Sequence, residues 1–182
     1  KVEFEVGAEG NRLYLGLHER ESSVVTPIKR CLMLPENQQD VPSALQGALR
    51  YSIKDLDLAP ARVGVRCSRR TRDTEIALWT KPQEFPRAMA NRVITQAVRN
   101  TSLVRVLFDG ELAARDVKKV EVLSGKGFWR ESVSGFEMNL SAPSFFQVNT
   151  RGAEMLISLV LAALEKIGAK DADRILDLYC GA

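Results

Sequence analysis

The sequence predicts an α+β fold: a central domain over 1–142 with a largely antiparallel sheet plus helices, then the first helix and strand of a second, truncated domain over 143–182. Three observations predict it. Short segments alternating apolar and polar residues recur through the first 142 residues, and two stretches of helical spacing interrupt them. After Pro143 the texture changes to one long helical stretch followed by an almost continuous apolar run. With 182 residues, 45% hydrophobic and 27% charged, the chain has apolar material for one core and some excess, which excludes disordered and collagen-like classes.

Val2, Phe4 and Val6 alternate with polar neighbours, residues 8–11 supply a turn, and Leu13, Leu15 and Leu17 resume the alternation, which is a β-hairpin pattern. A third extended piece covers 24–28, where Pro27 suits an edge or a strand end. Val41, Leu45, Ala48, Leu49 and Ser52 fall at helical spacing, predicting a helix that ends near Lys54. Residues 62–67 and 75–79 form a second hairpin around the polar turn 68–73, and Pro86 opens a helix through Val98. Strands are then expected over 103–108, 117–123 and 135–140, separated by glycine-containing turns. Asn149 or Thr150 can cap a helix carrying Ala153, Leu156, Ile157, Val160, Leu161, Leu164 and Ile167, and Gly168 stops it. Residues 174–181 read as a strand buried on both faces.

A net charge of +3, from 26 Lys+Arg against 23 Asp+Glu, is too mild to identify a nucleic-acid partner. The longest strongly apolar stretch, 155–164, is well short of the ~20 residues a membrane helix needs, and the chain start lacks a signal-peptide core, so no membrane partner and a cytoplasmic location are expected. Cys31, Cys67 and Cys180 are scattered without a Cys-x-x-Cys pair, which supports neither a disulfide framework nor a self-contained zinc site. Cys67 reads as core. The opening in a strand without a methionine is expected of a chain with further residues before Lys1.

Two segments carry possible chemistry. Arg66, Arg69, Arg70 and Arg72 crowd the second hairpin and could grip RNA phosphates, because guanidinium groups suit phosphate oxygens; a solvated turn is the alternative. Ile175-Leu-Asp-Leu-Tyr-Cys-Gly-Ala182 has the form of a strand running into a glycine turn, the start of a Rossmann-like cofactor site, although a buried strand that happens to end in glycine accounts for it equally.

Ser144-Phe-Phe-Gln-Val-Asn149, a helix, and then Leu176-Asp-Leu-Tyr-Cys-Gly181 together resemble the RNA uridine-5-methyltransferase family, of the 23S rRNA or tRNA uracil-5 type. Leu15-Gly-Leu-His18, Ser23 and Ile28-Lys-Arg-Cys31 resemble that family's segment around an iron–sulfur cysteine, while 35–123 carries no signature. The resemblance implies an enzyme that uses S-adenosylmethionine to methylate C5 of a uridine in rRNA or tRNA, with this chain as its middle. It implies cofactor contacts from Gln147, Tyr179 and Gly181, with Asp177 organising the turn and Phe145 and Phe146 packing between domains. It implies that Cys31 is one thiolate of a [4Fe–4S] cluster whose other three ligands lie before Lys1, so that the cluster is absent from this chain alone. His18 stands where the family pattern expects it, and Cys180 belongs to the cofactor loop rather than acting as nucleophile.

The chemistry requires more than these residues. C5 of uracil becomes nucleophilic only after a thiolate adds at C6, and a base must then remove the C5 proton. In the family that thiolate follows an Asp-Pro-Pro-Arg motif, which does not occur here, so no catalytic residue is assigned and the chain alone is expected to be inactive. A non-catalytic RNA-binding module centred on the basic hairpin is the competing expectation, and a methyltransferase acting on a small molecule is a third.

Overall fold

The structure is a computed structural model that describes residues 1–110, 116–169 and 176. The expected strand at 174–181, with Asp177, Tyr179, Cys180 and Gly181, lies outside the described residues.

The strands and α-helices of the described residues follow in chain order: β1 (Val2–Glu9), β2 (Arg12–His18), β3 (Val25–Pro27), α1 (Val41–Ser52), β4 (Arg62–Cys67), β5 (Thr74–Thr80), α2 (Arg87–Ala97), β6 (Ser102–Phe108), β7 (Val117–Gly125), β8 (Trp129–Val133), β9 (Phe136–Leu140) and α3 (Thr150–Lys166). The first seven strands build one sheet in the order β3-β2-β1-β4-β5-β6-β7, and β8 and β9 form a separate hairpin. All neighbours are antiparallel except β5 and β6, which α2 joins as a crossover. The α+β class is therefore as the alternation predicted.

Alternation divides the sheet into two faces. Phe4, Val63, Val65, Ile76, Leu78 and Leu103 pack beneath α1 and α2, which contribute Leu45, Leu49, Ala90 and Ile94. Trp79, Val104, Val106 and Phe108 form a smaller cluster capped by Ala142. Arg105 is buried beside Phe85, its Nε donating to Thr80 Oγ1 at 2.7 Å and its Nη2 to the Lys81 and Gln83 carbonyls at 3.0 and 2.7 Å. These bonds fix the connector between β5 and α2. Gly125 closes β7 with φ +75°, and a Cβ there would lie 2.1 Å from the Thr101 carbonyl oxygen, so the close approach of the two loops requires glycine.

One departure from expectation has a physical cause. The strand β8 goes unpredicted because its inward positions are Trp129, Glu131 and Val133, and a buried glutamate breaks the apolar alternation. The helix α3 forms where its spacing and cap predict, with Asn149 Oδ1 accepting from the Gly152 amide at 3.0 Å. Its apolar residues, Leu156, Val160 and Leu161 among them, are exposed rather than buried among the described residues. No helix among the described residues is long and apolar enough to cross a membrane.

Candidate functional site

The turn between β4 and β5 is fastened to the β8–β9 hairpin and to α3, and a cleft opens where they meet. Asp73 is buried at the end of the turn, accepting from Arg130 Nε at 3.0 Å, the Arg130 amide at 3.1 Å and Lys126 Nζ at 3.4 Å. Burial pushes its carboxyl upward, but these donors outweigh it and hold the group below the ordinary value. Ser68 Oγ donates to Glu131 Oε1 at 3.0 Å, and Thr71 Oγ1 donates to the Arg130 carbonyl at 2.7 Å. Arg70 reaches α3, donating to the two Glu154 oxygens at 2.5 and 2.7 Å, while the Ser134 amide donates to Glu154 at 2.7 Å. The Arg70 and Ser134 donors hold the Glu154 carboxyl down to about 2.

Of the four arginines expected to face RNA, two have partners within the protein. Arg66 lies on β4 rather than in the turn and is 3% exposed. Its guanidinium donates to the Ser141 carbonyl at 3.2 Å, the Ser144 carbonyl at 2.9 Å and the Ala142 carbonyl. It also lies 5.8 Å from the Trp129 ring centre. Arg66 is thus almost wholly buried, at the inner wall of the cleft. Arg70 is exposed but paired with Glu154, while Arg69 and Arg72 project from the turn without an ion pair among the described residues.

Through Arg66 the segment 141–144 is clamped onto the sheet, and the residues that follow it form a wall of a cleft of about 440 Å³. Phe146 meets Trp129 edge to face with ring centres 5.5 Å apart, whereas Phe145 is 75% exposed, so only one of the two phenylalanines packs as expected. Gln147 follows, exposed on the cleft, which Arg69, Arg70 and Arg151 also line. Its amide can both donate and accept, as a polar ligand would require. The expected helix-capping role falls to Asn149, which leaves Gln147 available to the cleft.

Next to Arg66 in the sheet lies a buried acid. Glu75 stands opposite Arg66 in the β4–β5 ladder, wholly buried, and neither carboxyl oxygen accepts a hydrogen bond of normal geometry. Burial pushes it up to about 8, against the opposing pull of the Arg66 charge and the nearby Ser102 hydroxyl. Glu75 is thus largely protonated at neutral pH.

The cysteines do not assemble a metal centre among the described residues. Cys31 is a buried free thiol, its amide donating to the Gln39 carbonyl at 2.9 Å, and Cys67 is half-buried against the core, its thiol donating to Gln38 Oε1. Burial pushes the Cys67 thiol up, away from the thiolate. No group of three or more ligand-type side chains gathers among the described residues, and Cys31 is the one expected cluster ligand that this chain contains. His18 is exposed at the end of β2.

No protein-family model matches the chain. Its whole length aligns at 26% identity with an uncharacterised RNA methyltransferase of Streptococcus pneumoniae, of which it covers 41%. It likewise aligns at 26% identity with an uncharacterised RNA methyltransferase of Clostridium tetani, of which it covers 42%. The fold resembles that of the Pyrococcus abyssi tRNA (uracil-54, C5)-methyltransferase solved with S-adenosyl-L-homocysteine, with a TM-score of 0.63 and 16% identity over 88% of this chain and 39% of that one. The chain thus spans about two fifths of the length of the curated relatives it matches.

Proposed function

From a chain that is homologous along its whole length to proteins named RNA methyltransferases, we propose a central portion of an enzyme that transfers a methyl group from S-adenosylmethionine to C5 of a uridine in rRNA or tRNA. Residues 1–142 form its RNA-facing α+β domain and 143–182 begin its methyltransferase domain. The observation that carries this reading is the match over the full chain, and the placement of Gln147 on a cleft edged by arginines agrees with it.

In this reading Gln147 orients the methionine moiety of S-adenosylmethionine, with Tyr179 and Gly181 completing the contact. The cofactor supplies the electrophilic methyl group. Arg66 acts by position, holding 141–144 so that Gln147 stays on the cleft wall. Arg69 and Arg72 meet RNA phosphates. The thiolate that adds at C6 and the base that takes the C5 proton come from outside the matched motifs of this chain. The enzyme works in the cytoplasm.

Methylation at C5 exchanges the C5 hydrogen for a methyl group, so tritium release from RNA labelled with [5-³H]uridine reads the reaction directly. The natural full-length protein is expected to release tritium only with S-adenosylmethionine present. Methyl transfer to RNA without tritium release would place the reaction at another atom. The 182-residue chain alone is expected neither to release tritium nor to bind S-adenosylmethionine tightly, and a stoichiometric, tight calorimetric titration would overturn that.

A further inference from the structure

A second cleft, of about 430 Å³, adjoins that of Gln147 and is built by three segments distant in sequence: the turn between β4 and β5, the 3-10 turn over Glu36–Gln38, and the loop between α2 and β6. They bring together Arg69, Arg72 and Arg99, with Asn37 and Asn100 beside them, and no carboxylate of the described residues lines it. The wall is held in place, because Gln38 donates to Thr74 Oγ1 at 2.7 Å and accepts from the Cys67 thiol, while the Thr74 amide donates to Thr101 Oγ1 at 3.0 Å.

Many arginines of the described residues are held in ion pairs. Arg62 pairs with Glu3 and Glu5, Arg70 with Glu154, Arg87 and Arg105 with Glu121, and Arg130 with Asp73. Arg69, Arg72 and Arg99 have no ion pair among the described residues, although all three are exposed. Three like charges gathered by a rigid wall repel one another, and an anion entering between them relieves that repulsion. Guanidinium forks suit phosphate oxygens, and asparagine amides can donate to phosphate or exchange hydrogen bonds with a ribose hydroxyl. The two clefts share Pro35, Cys67 and Arg69, so a ligand leaving the Gln147 cleft past Arg69 enters the second one.

We propose that Arg69, Arg72 and Arg99 form a phosphate track for the single-stranded RNA segment that flanks the base presented at the Gln147 cleft. This deepens the RNA reading above and rests on it. Arg99 is the new member, delivered by a different element from the arginine-rich turn. The neighbouring hairpin keeps that turn rigid, so the track is formed before RNA arrives.

The test is anisotropy of a fluorescent single-stranded RNA oligonucleotide bound by the full 182-residue chain over a salt series. Removing one phosphate-binding side chain lowers the slope of log K against log salt by about 0.7 for single strands, so the Arg72→Ala/Arg99→Ala double variant should lower it by ~1.4. Arg72→Lys/Arg99→Lys should restore most of that slope. Arg12→Ala/Arg92→Ala, at exposed sites outside both clefts, should leave it unchanged. RNA bound with an unaltered slope by the Arg72→Ala/Arg99→Ala variant overturns the track and leaves the RNA reading standing. An equal drop in the Arg12→Ala/Arg92→Ala control also overturns the track, since binding then follows bulk charge. No RNA binding by the unsubstituted chain overturns both. Displacement of the RNA by inorganic phosphate at matched ionic strength marks an isolated anion site and overturns the strand-following track.

Discussion

Arg66 and Glu75 stand opposite each other in the β4–β5 ladder, both buried, with the arginine directed at three carbonyls of the chain leaving the sheet and the glutamate accepting no hydrogen bond of normal geometry. The pair links the sheet interior to the segment that carries Gln147, and it has consequences for pH dependence and stability.

Folding takes up a proton at Glu75 between its ordinary value of 4.5 and about 8. The folded state therefore binds more protons than the unfolded chain in that window, and stability falls as pH rises through it. Glu75→Gln should flatten this slope. Urea denaturation at several pH values is expected to show the variant close to the parent below the window and more stable above it, by on the order of a few kcal/mol. Parallel profiles across the window would mean that Glu75 ionises freely in the folded protein.

Removing the guanidinium of Arg66 leaves the carbonyls of Ser141, Ala142 and Ser144 without their donor. Arg66→Met, which keeps the apolar stem, should cost roughly 2–4 kcal/mol in denaturant unfolding, given the strength of buried charge-assisted bonds. It should also raise Glu75 further, because the neighbouring positive charge is gone. An unchanged midpoint would mean that the segment is held by the Trp129–Phe146 contact alone.

The Arg70–Glu154 contact ties α3 to the turn, with Glu154 held down to about 2 against an ordinary 4.5. Its contribution is fully present above about 4.5 and is lost as pH falls toward 2. Glu154→Gln should reproduce the acid form at neutral pH. Hydrogen exchange should then be faster at the Ser134 amide, which no longer has a charged acceptor, with protection in β4 and β5 unchanged. Slow exchange at Ser134 in the variant would contradict this.

Asn149→Ala removes the side chain that accepts from the Gly152 amide and should cost about 1 kcal/mol of helix stability. Circular dichroism is expected to show partial loss of helix that Asn149→Ser or Asn149→Asp recovers, since both supply an accepting oxygen at the cap. Full helicity in the alanine variant would indicate that α3 is held by its contact with β8 instead.

Most strands are legible in the sequence because one face of each is apolar and the other polar, as with Phe4 and Leu15 beneath the helices. Strand order is not, since β1 sits between β2 and β4 and that second pairing joins Val2 to Val65 across the α1 region. Local patterns carry no information about such distant partners. The site divides in the same way. Gln147 stands out through a motif, but the diversion of Arg66 to backbone carbonyls follows from its face of β4 and the path of residues 141–144. Arg99 is isolated in sequence, and only the folded loops bring it beside Arg72.

The two outer strands of the large sheet also bear on behaviour at high concentration. β3 is three residues long and ends in Pro27, which offers no amide hydrogen, while β7 carries Lys118 and Lys119 and pairs with β6 through two register shifts. A short proline-ended strand and an irregular, lysine-bearing one are poor templates for further strand addition. Among the described strands, the sheet is thus guarded at both ends against growth into β-rich aggregates, and self-association through those edges is disfavoured by strand shape and by charge together.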